Sequence, residues 1–171
     1  MAAENMPEGT DTSGTPMTKI RLFTIGFTKT NAEHFFTKLK DAGVKRVVDV
    51  RLNNSSQLAG FAKQANLEYF LRELCGIGYV HGLDLAPTKE MLDAYKEGKD
   101  DWSCYKMKFL ELITSRRVEE TVPKEVIDLG CLLCSEDTPE HCHRRLVAEY
   151  LQQHWEDVDI IHLLPARREK H

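Results

Sequence analysis

The sequence predicts an α/β fold: an open three-layer sandwich in which a mostly parallel sheet of about five strands carries helices on both faces. Three observations point to it. Segments rich in β-branched residues alternate with segments of helical period between residues 19 and 164. One of them, "VKRVVDVR" at residues 44–51, has a continuous Val core, as a strand buried on both faces has. Polar residues also recur at the carboxyl ends of the predicted strands, where open parallel sheets bind their ligands.

The elements follow in order. Residues 1–18 are rich in Gly, Thr, Pro and Glu and lack periodicity, which predicts a disordered leader. "KIRLFTIGF" at 19–27 opens the fold as a buried strand ending at Gly26. A helix follows, with Thr30 and Glu33 at capping-box spacing, Phe35, Phe36 and Leu39 on one face, and Gly43 as its stop. The strand at 44–51 ends on Asp49 and Arg51, and the loop "LNNSSQLAGF" leads into a helix near 66–75. "IGYVHGL" reads as a third short strand ending at His81, and two helices are expected between Thr88 and Ser115. After Pro123, "EVIDLGCLLC" predicts a fourth strand, and the run from Pro139 to Trp155 a helix that buries Leu146, Val147, Tyr150 and Leu151. "DVDIIHLL" closes the sheet, so residues 19–164 read as a single α/β domain and 165–171 as a basic tail.

A length of 171 residues with 42% hydrophobic and 29% charged side chains suits one soluble globular domain. No apolar run approaches the roughly 18 residues of a membrane helix, and the amino end has no apolar core of a signal peptide. A cytoplasmic location is therefore expected. The five cysteines are odd in number and have no framework-like spacing, so reduced thiols are expected. A net charge of -4 argues against broad electrostatic binding to nucleic acid and leaves room for a local basic patch.

The chemistry concentrates in "LLCSEDTPEHCHRRL" at 132–146. Thr138 and Pro139 resemble the cap and first residue of a helix, which would put Cys142 in its first turn and His143 and Arg144 just beyond. A helix amino end favours an anion and lowers a nearby thiol's pKa. Arg144 and Arg145 add positive charge, and Glu136 in the loop could act as a base or orient a neighbour. Gly26, Asp49 with Arg51, His81, and Cys134 with Glu136 each end a predicted strand, so these sequence-distant groups should meet on one rim. Read singly, each has an ordinary structural role: Cys75, Cys104 and Cys131 as packing residues, Asp49 and Arg51 as a local ion pair, His81 as a buried hydrogen-bonded imidazole, His141 as a capping participant.

Two rival readings of the cluster stand beside an anion pocket. A zinc site would draw on Cys131, Cys134, Cys142 and His143, but residues three apart on a strand face opposite ways, and neighbours on a helix diverge by about 100°. No metal ligands are therefore expected, with zinc the lesser alternative. A redox pair of Cys134 and Cys142 is the other.

Taken together, "TIGF", "VVDVR", "YVH" and "LLCSEDTPEHCHRRLVAE" resemble the domain-of-unknown-function family 488, from about Ile20 to Leu163. The resemblance implies a compact α/β domain and marks Asp49, Arg51, His81, Cys134, Glu136, Cys142, His143 and Arg144 as site positions, without assigning roles. The sequence departs from the family's pattern after Arg51, where "LNNSSQLAGFAK" is less basic, and after His81, where it reads "GLDLAP".

The leading functional expectation is an enzyme for a small anionic, phosphate- or nucleotide-like substrate. Cys134 is the candidate nucleophile, Glu136 with His81 the proton-transfer groups, and Asp49 the residue that orients Arg51 or His81. Arg51, Cys142, His143 and Arg144 would receive the anion. The alternatives are a nucleotide- or nucleic-acid-associated binding module without turnover, using Asn53, Asn54 and Lys63 as a phosphate track, and a redox thiol protein.

Overall fold

The structure is a computed structural model that describes residues 19–55 and 59–165. The expected leader at 1–18 lies outside the described residues, as does the expected tail beyond Pro165.

Five strands form one parallel sheet: β1 (Ile20–Gly26), β2 (Arg46–Asp49), β3 (Gly78–His81), β4 (Gly130–Cys134) and β5 (Val158–Leu163). Their order is β3-β2-β4-β1-β5, and every neighbouring pair runs parallel. This is the α/β sandwich the alternation predicts. Side chains in the strands alternate between two cores. Val47, Cys131 and Leu133 join one, while Val48, Leu132 and Cys134 join the other.

The helices divide accordingly. α1 (Ala32–Ala42) and α2 (Gln64–Phe70, continued by a π turn at Leu71–Cys75) cover the first core through Phe35, Phe36, Leu39, Leu67 and Leu71. α3 (Lys89–Lys96), α4 (Trp102–Ser115), α5 (Val118–Thr121), α6 (Lys124–Ile127) and α7 (His143–His154) lie on the side of the second. The chain leaves β2 toward one face and β4 toward the other, although the two strands are neighbours. Such a reversal opens a crevice at the carboxyl ends of the two strands. Asp49 and Cys134 stand there.

Local signals placed several boundaries as expected. Gly43 adopts φ 78° and closes α1 in the left-handed conformation that glycine tolerates. α7 buries Leu146, Val147, Tyr150 and Leu151.

Three boundaries differ. The cap of α1 is Asn31, whose side chain accepts the His34 main-chain N–H at 2.9 Å, so the cap lies one residue beyond the expected Thr30. The expected strand at 125–134 is interrupted: residues 124–127 form the single turn α6, Leu129 takes φ 57°, and the strand starts at Gly130. A Cβ at Gly130 would press on the carbonyls of Val126 and Ile127, which explains the glycine.

The third difference matters most for function. α7 does not begin at Pro139. It begins at His143, and Cys142 is its extended N-cap residue at φ -134° and ψ 137°. Tertiary partners pin the loop ahead of it instead: Thr28 N–H donates to the Ser135 carbonyl at 3.1 Å and Arg144 Nη1 to the Glu136 carbonyl at 2.7 Å. The Pro139 carbonyl closes only a tight turn with the Cys142 N–H, at 3.3 Å.

Candidate functional site

At the end of β2, Asp49 is fully buried and binds Arg51 in a two-point fork, Oδ1 to Nε and Oδ2 to Nη2, both 2.8 Å. Tyr79 from β3 donates its hydroxyl to Asp49 Oδ2 at 2.7 Å, and Asn54 donates to the Tyr79 oxygen at 3.0 Å. Burial and the Asp49 carboxylate push the Tyr79 phenol up, so it remains a proton donor. Arg51 Nη2 also reaches the Ala62 carbonyl at 2.8 Å, but Nη1 has no hydrogen-bond partner among the described residues, although Arg51 is 3% exposed. A buried guanidinium nitrogen without an acceptor is costly unless a ligand supplies one.

At the end of β4, Cys134 Sγ lies 3.6 Å from His143 Nδ1 and 3.9 Å from Nε2. His143 Nε2 is 2.7 Å from the Val50 carbonyl. A carbonyl only accepts, so Nε2 carries the proton and a neutral ring keeps its lone pair on Nδ1, the nitrogen nearer the sulfur. Phe109 from α4 packs on the imidazole with ring centroids 5.3 Å apart.

Cys142 completes the arrangement. Its S–H donates to Cys134, which lowers the Cys134 pKa against the opposing effect of burial; the Ser135 main-chain N–H and the charges of Arg144 and Arg51 lower it further. Cys142 itself is raised well above the ordinary thiol range by that bond, by burial and by the Cys134 charge. Of the pair, Cys134 is therefore the thiol that ionises more readily.

Arg144 is wholly buried beneath the loop. Its Nη1 holds the Glu136 carbonyl and approaches Cys142 Sγ at 3.3 Å, while Nε and Nη2 have no partner among the described residues. Gly26 makes this packing possible, because a Cβ there would overlap the same Glu136 carbonyl. Sequence reasoning put Gly26 on the rim without this reason for it.

A cavity of about 610 Å³ opens over these groups, lined among others by Arg51, Cys134, Glu136, Cys142 and His143. Its size falls in the roughly 300–1,000 Å³ range of small-molecule sites. The structure thus brings Arg51, Cys134, Glu136, Cys142 and His143 together, with Asp49 and Arg144 behind them. His81 goes elsewhere: its Nε2 bonds the Arg51 carbonyl at 2.8 Å and it lines a separate cavity under Gly82 and Val122.

Cys134, Cys142 and His143 present one sulfur or nitrogen each within 4.8 Å of one another, a set that could hold a metal ion. The objection that Cys142 and His143 diverge on a helix does not apply, because Cys142 precedes the helix. A histidine whose other N–H donates to a backbone carbonyl also suits a metal ligand. Cys131 belongs to the opposite core and takes no part.

Residues that sequence reasoning passed over are Tyr79, the Val50 carbonyl, and the aromatic side chains Tyr95, Trp102 and Tyr105, all three of which line the cavity. Trp102, Tyr105 and Phe109 are spaced for one helical face, a signal present in the sequence.

The sequence model of a protein family described as Domain of unknown function DUF488 matches residues 31–151. The chain belongs to that family. No curated protein and no solved structure matches the chain. The matched DUF488 stretch runs from the cap of α1 to the end of the buried face of α7, and it contains each of the eight positions that the resemblance marked. Among the described residues, no helix of this DUF488 protein is long and apolar enough to cross a membrane.

Proposed function

We propose that this protein is an enzyme that uses the Cys134 thiolate as a nucleophile on a small anionic substrate, phosphate- or nucleotide-like. The observation that carries the reading is the Cys134–His143 contact beneath a cavity that Arg51, with an unpaired guanidinium nitrogen, also lines. Arg51 Nη1 receives the anion, and Asp49 holds the guanidinium in place through its fork. Cys134 Sγ attacks the electrophilic atom of the substrate, forming a bond to sulfur as the bond to the leaving group breaks. His143, protonated by the Cys134 thiol, returns that proton to the leaving group. Water then attacks the sulfur-bound intermediate, Glu136 takes its proton, and the thiolate departs. His143 thus takes the proton-transfer role that the sequence suggested for His81.

The five cysteines described are free thiols, in keeping with a reducing, cytoplasmic location. A small anionic ligand is the partner this reading requires.

Alkylation followed by intact mass tests it. Iodoacetate should modify Cys134 first and at least as fast as iodoacetamide, because Arg51 attracts the carboxylate, and Cys134→Ser should remove that first adduct. Equal, slow modification of all five cysteines would overturn the reading. A redox reading keeps one specific support, the hydrogen bond from Cys142 to Cys134. An unchanged free-thiol count across a titration with oxidised glutathione would remove it.

A further inference from the structure

One wall of the cavity is aromatic and has no part in the chemistry above. Trp102 and Tyr105, one helical turn apart on α4, stack with centroids 5.5 Å apart and planes at 25°. Tyr95 from α3 lies 5.0 Å from Tyr105 at 35°, and His141 from the loop before α7 lies 5.2 Å from Trp102 at 34°. All four rings line the same cavity as Arg51 and Cys134. The wall reaches the reacting groups, since Tyr105 stacks on Phe109 and Phe109 packs on His143.

Ordinary core packing accounts for only part of this. Tyr105 is buried in the second core, but Trp102 and Tyr95 are only half-buried and His141 is exposed. Large ring surface left facing a cavity is what a flat apolar ligand covers, and a wall of aromatic faces suits a flat partner better than an aliphatic one. The opposite requirement comes from Arg51, whose unpaired Nη1 calls for an anionic acceptor, and exposed Lys96 adds a second cation on the lining. Glu136 on the same lining has a carboxylate of the kind that accepts from sugar hydroxyls.

We infer that the substrate of this cavity carries a planar aromatic ring beside its anionic group, and that a nucleoside 5′-monophosphate is the class that joins the two. The inference rests on the anionic-substrate reading above and adds the ring to it. Stacking on aromatic side chains tolerates any base, so the wall selects a base over no base more than one base over another.

Calorimetric titration of the full chain with adenosine, guanosine, cytidine and uridine 5′-monophosphates, and with ribose 5-phosphate, tests it. At least one nucleotide should bind about 10-fold or more tightly than ribose 5-phosphate. Trp102→Leu should remove most of that difference and leave ribose 5-phosphate binding within about 2-fold of the parent. Ribose 5-phosphate binding as tightly as every nucleotide would overturn the aromatic ring and leave the anion site standing. Failure of all five compounds beside a Cys134 that iodoacetate still alkylates selectively would also overturn this inference alone. Failure of all five with an unreactive Cys134 would remove the underlying reading with it. Because the nucleotide and sugar-phosphate comparison is made on the unaltered protein, the result stands even if Trp102→Leu folds poorly.

Discussion

Asp49 and Arg51, two residues apart in sequence, grip each other through two 2.8 Å hydrogen bonds at the carboxyl end of β2, and both are almost entirely out of water. Side chains of residues i and i+2 share a face of a strand, and here the chain leaves the strand between them, so the fork turns the guanidinium toward the crevice beside β4. Three oxygens, those of Asp49 and the Ala62 carbonyl, immobilise one side of the guanidinium and leave Nη1 buried without a hydrogen-bond partner among the described residues.

Breaking the fork should therefore be costly. Asp49→Ala strands a buried guanidinium, with an expected loss of about 3–5 kcal/mol of stability. Asp49→Asn should cost less than the alanine, since it keeps the shape and one of the two accepting oxygens. Urea unfolding of the three proteins side by side checks the order; an Asp49→Ala protein as stable as the parent would mean the pair is not the support described.

The Cys134 thiolate should form at a lower pH than an ordinary thiol of about 8.5. Cys142 S–H donation is the largest cause, so Cys142→Ala should move the midpoint of the alkylation-rate profile upward, while Cys142→Ser, which keeps a donor, should move it less. The sign for stability follows. A depressed thiol contributes stability that is present above the unfolded value and lost as pH falls through the folded one. Iodoacetamide rates between pH 5 and pH 9 read the midpoints directly.

His143→Ala should slow Cys134 alkylation near neutral pH by about 10-fold, the scale of one pKa unit. His81→Ala should leave that rate within about 2-fold, because its ring bonds the Arg51 carbonyl and faces a different cavity. A larger loss from His81 than from His143 would reverse the roles assigned to the two histidines. Thermal melts of both variants separate lost reactivity from lost fold.

Gly26→Ala tests the packing under the site. The added methyl needs the space of the Glu136 carbonyl, which Arg144 anchors at 2.7 Å. Expected is a destabilisation of about 1–3 kcal/mol together with slower Cys134 alkylation. Full stability and full reactivity would show that the loop yields without consequence.

Metal content separates a nucleophile from a ligand. Protein dialysed against a chelator should keep full Cys134 reactivity, and added zinc should suppress it reversibly through Cys134, Cys142 and His143. Native mass spectrometry that finds one zinc per chain surviving the chelator, lost in Cys134→Ser or Cys142→Ser, would make Cys134 a metal ligand and end the nucleophile reading.

The sequence by itself determined the alternation of strands and helices, the buried faces of α1 and α7, the stop at Gly43, and the rim on which Asp49, Arg51 and Cys134 meet. These are legible because burial imprints a period of two or about 3.6 on neighbouring residues. Tertiary structure alone decided the strand order, the late start of α7 and the partners that follow from it. Thr138 and Pro139 carry good local helix signals, yet Thr28 and Arg144 pin the preceding loop across the fold through the Ser135 and Glu136 carbonyls, and the helix starts only at His143. That delay of four residues turns Cys142 and His143 onto one sulfur, while a hydrogen bond to Arg51 draws His81 away. Local sequence records which side of an element is dry; which carbonyl a distant donor will take is settled only when the chain has folded.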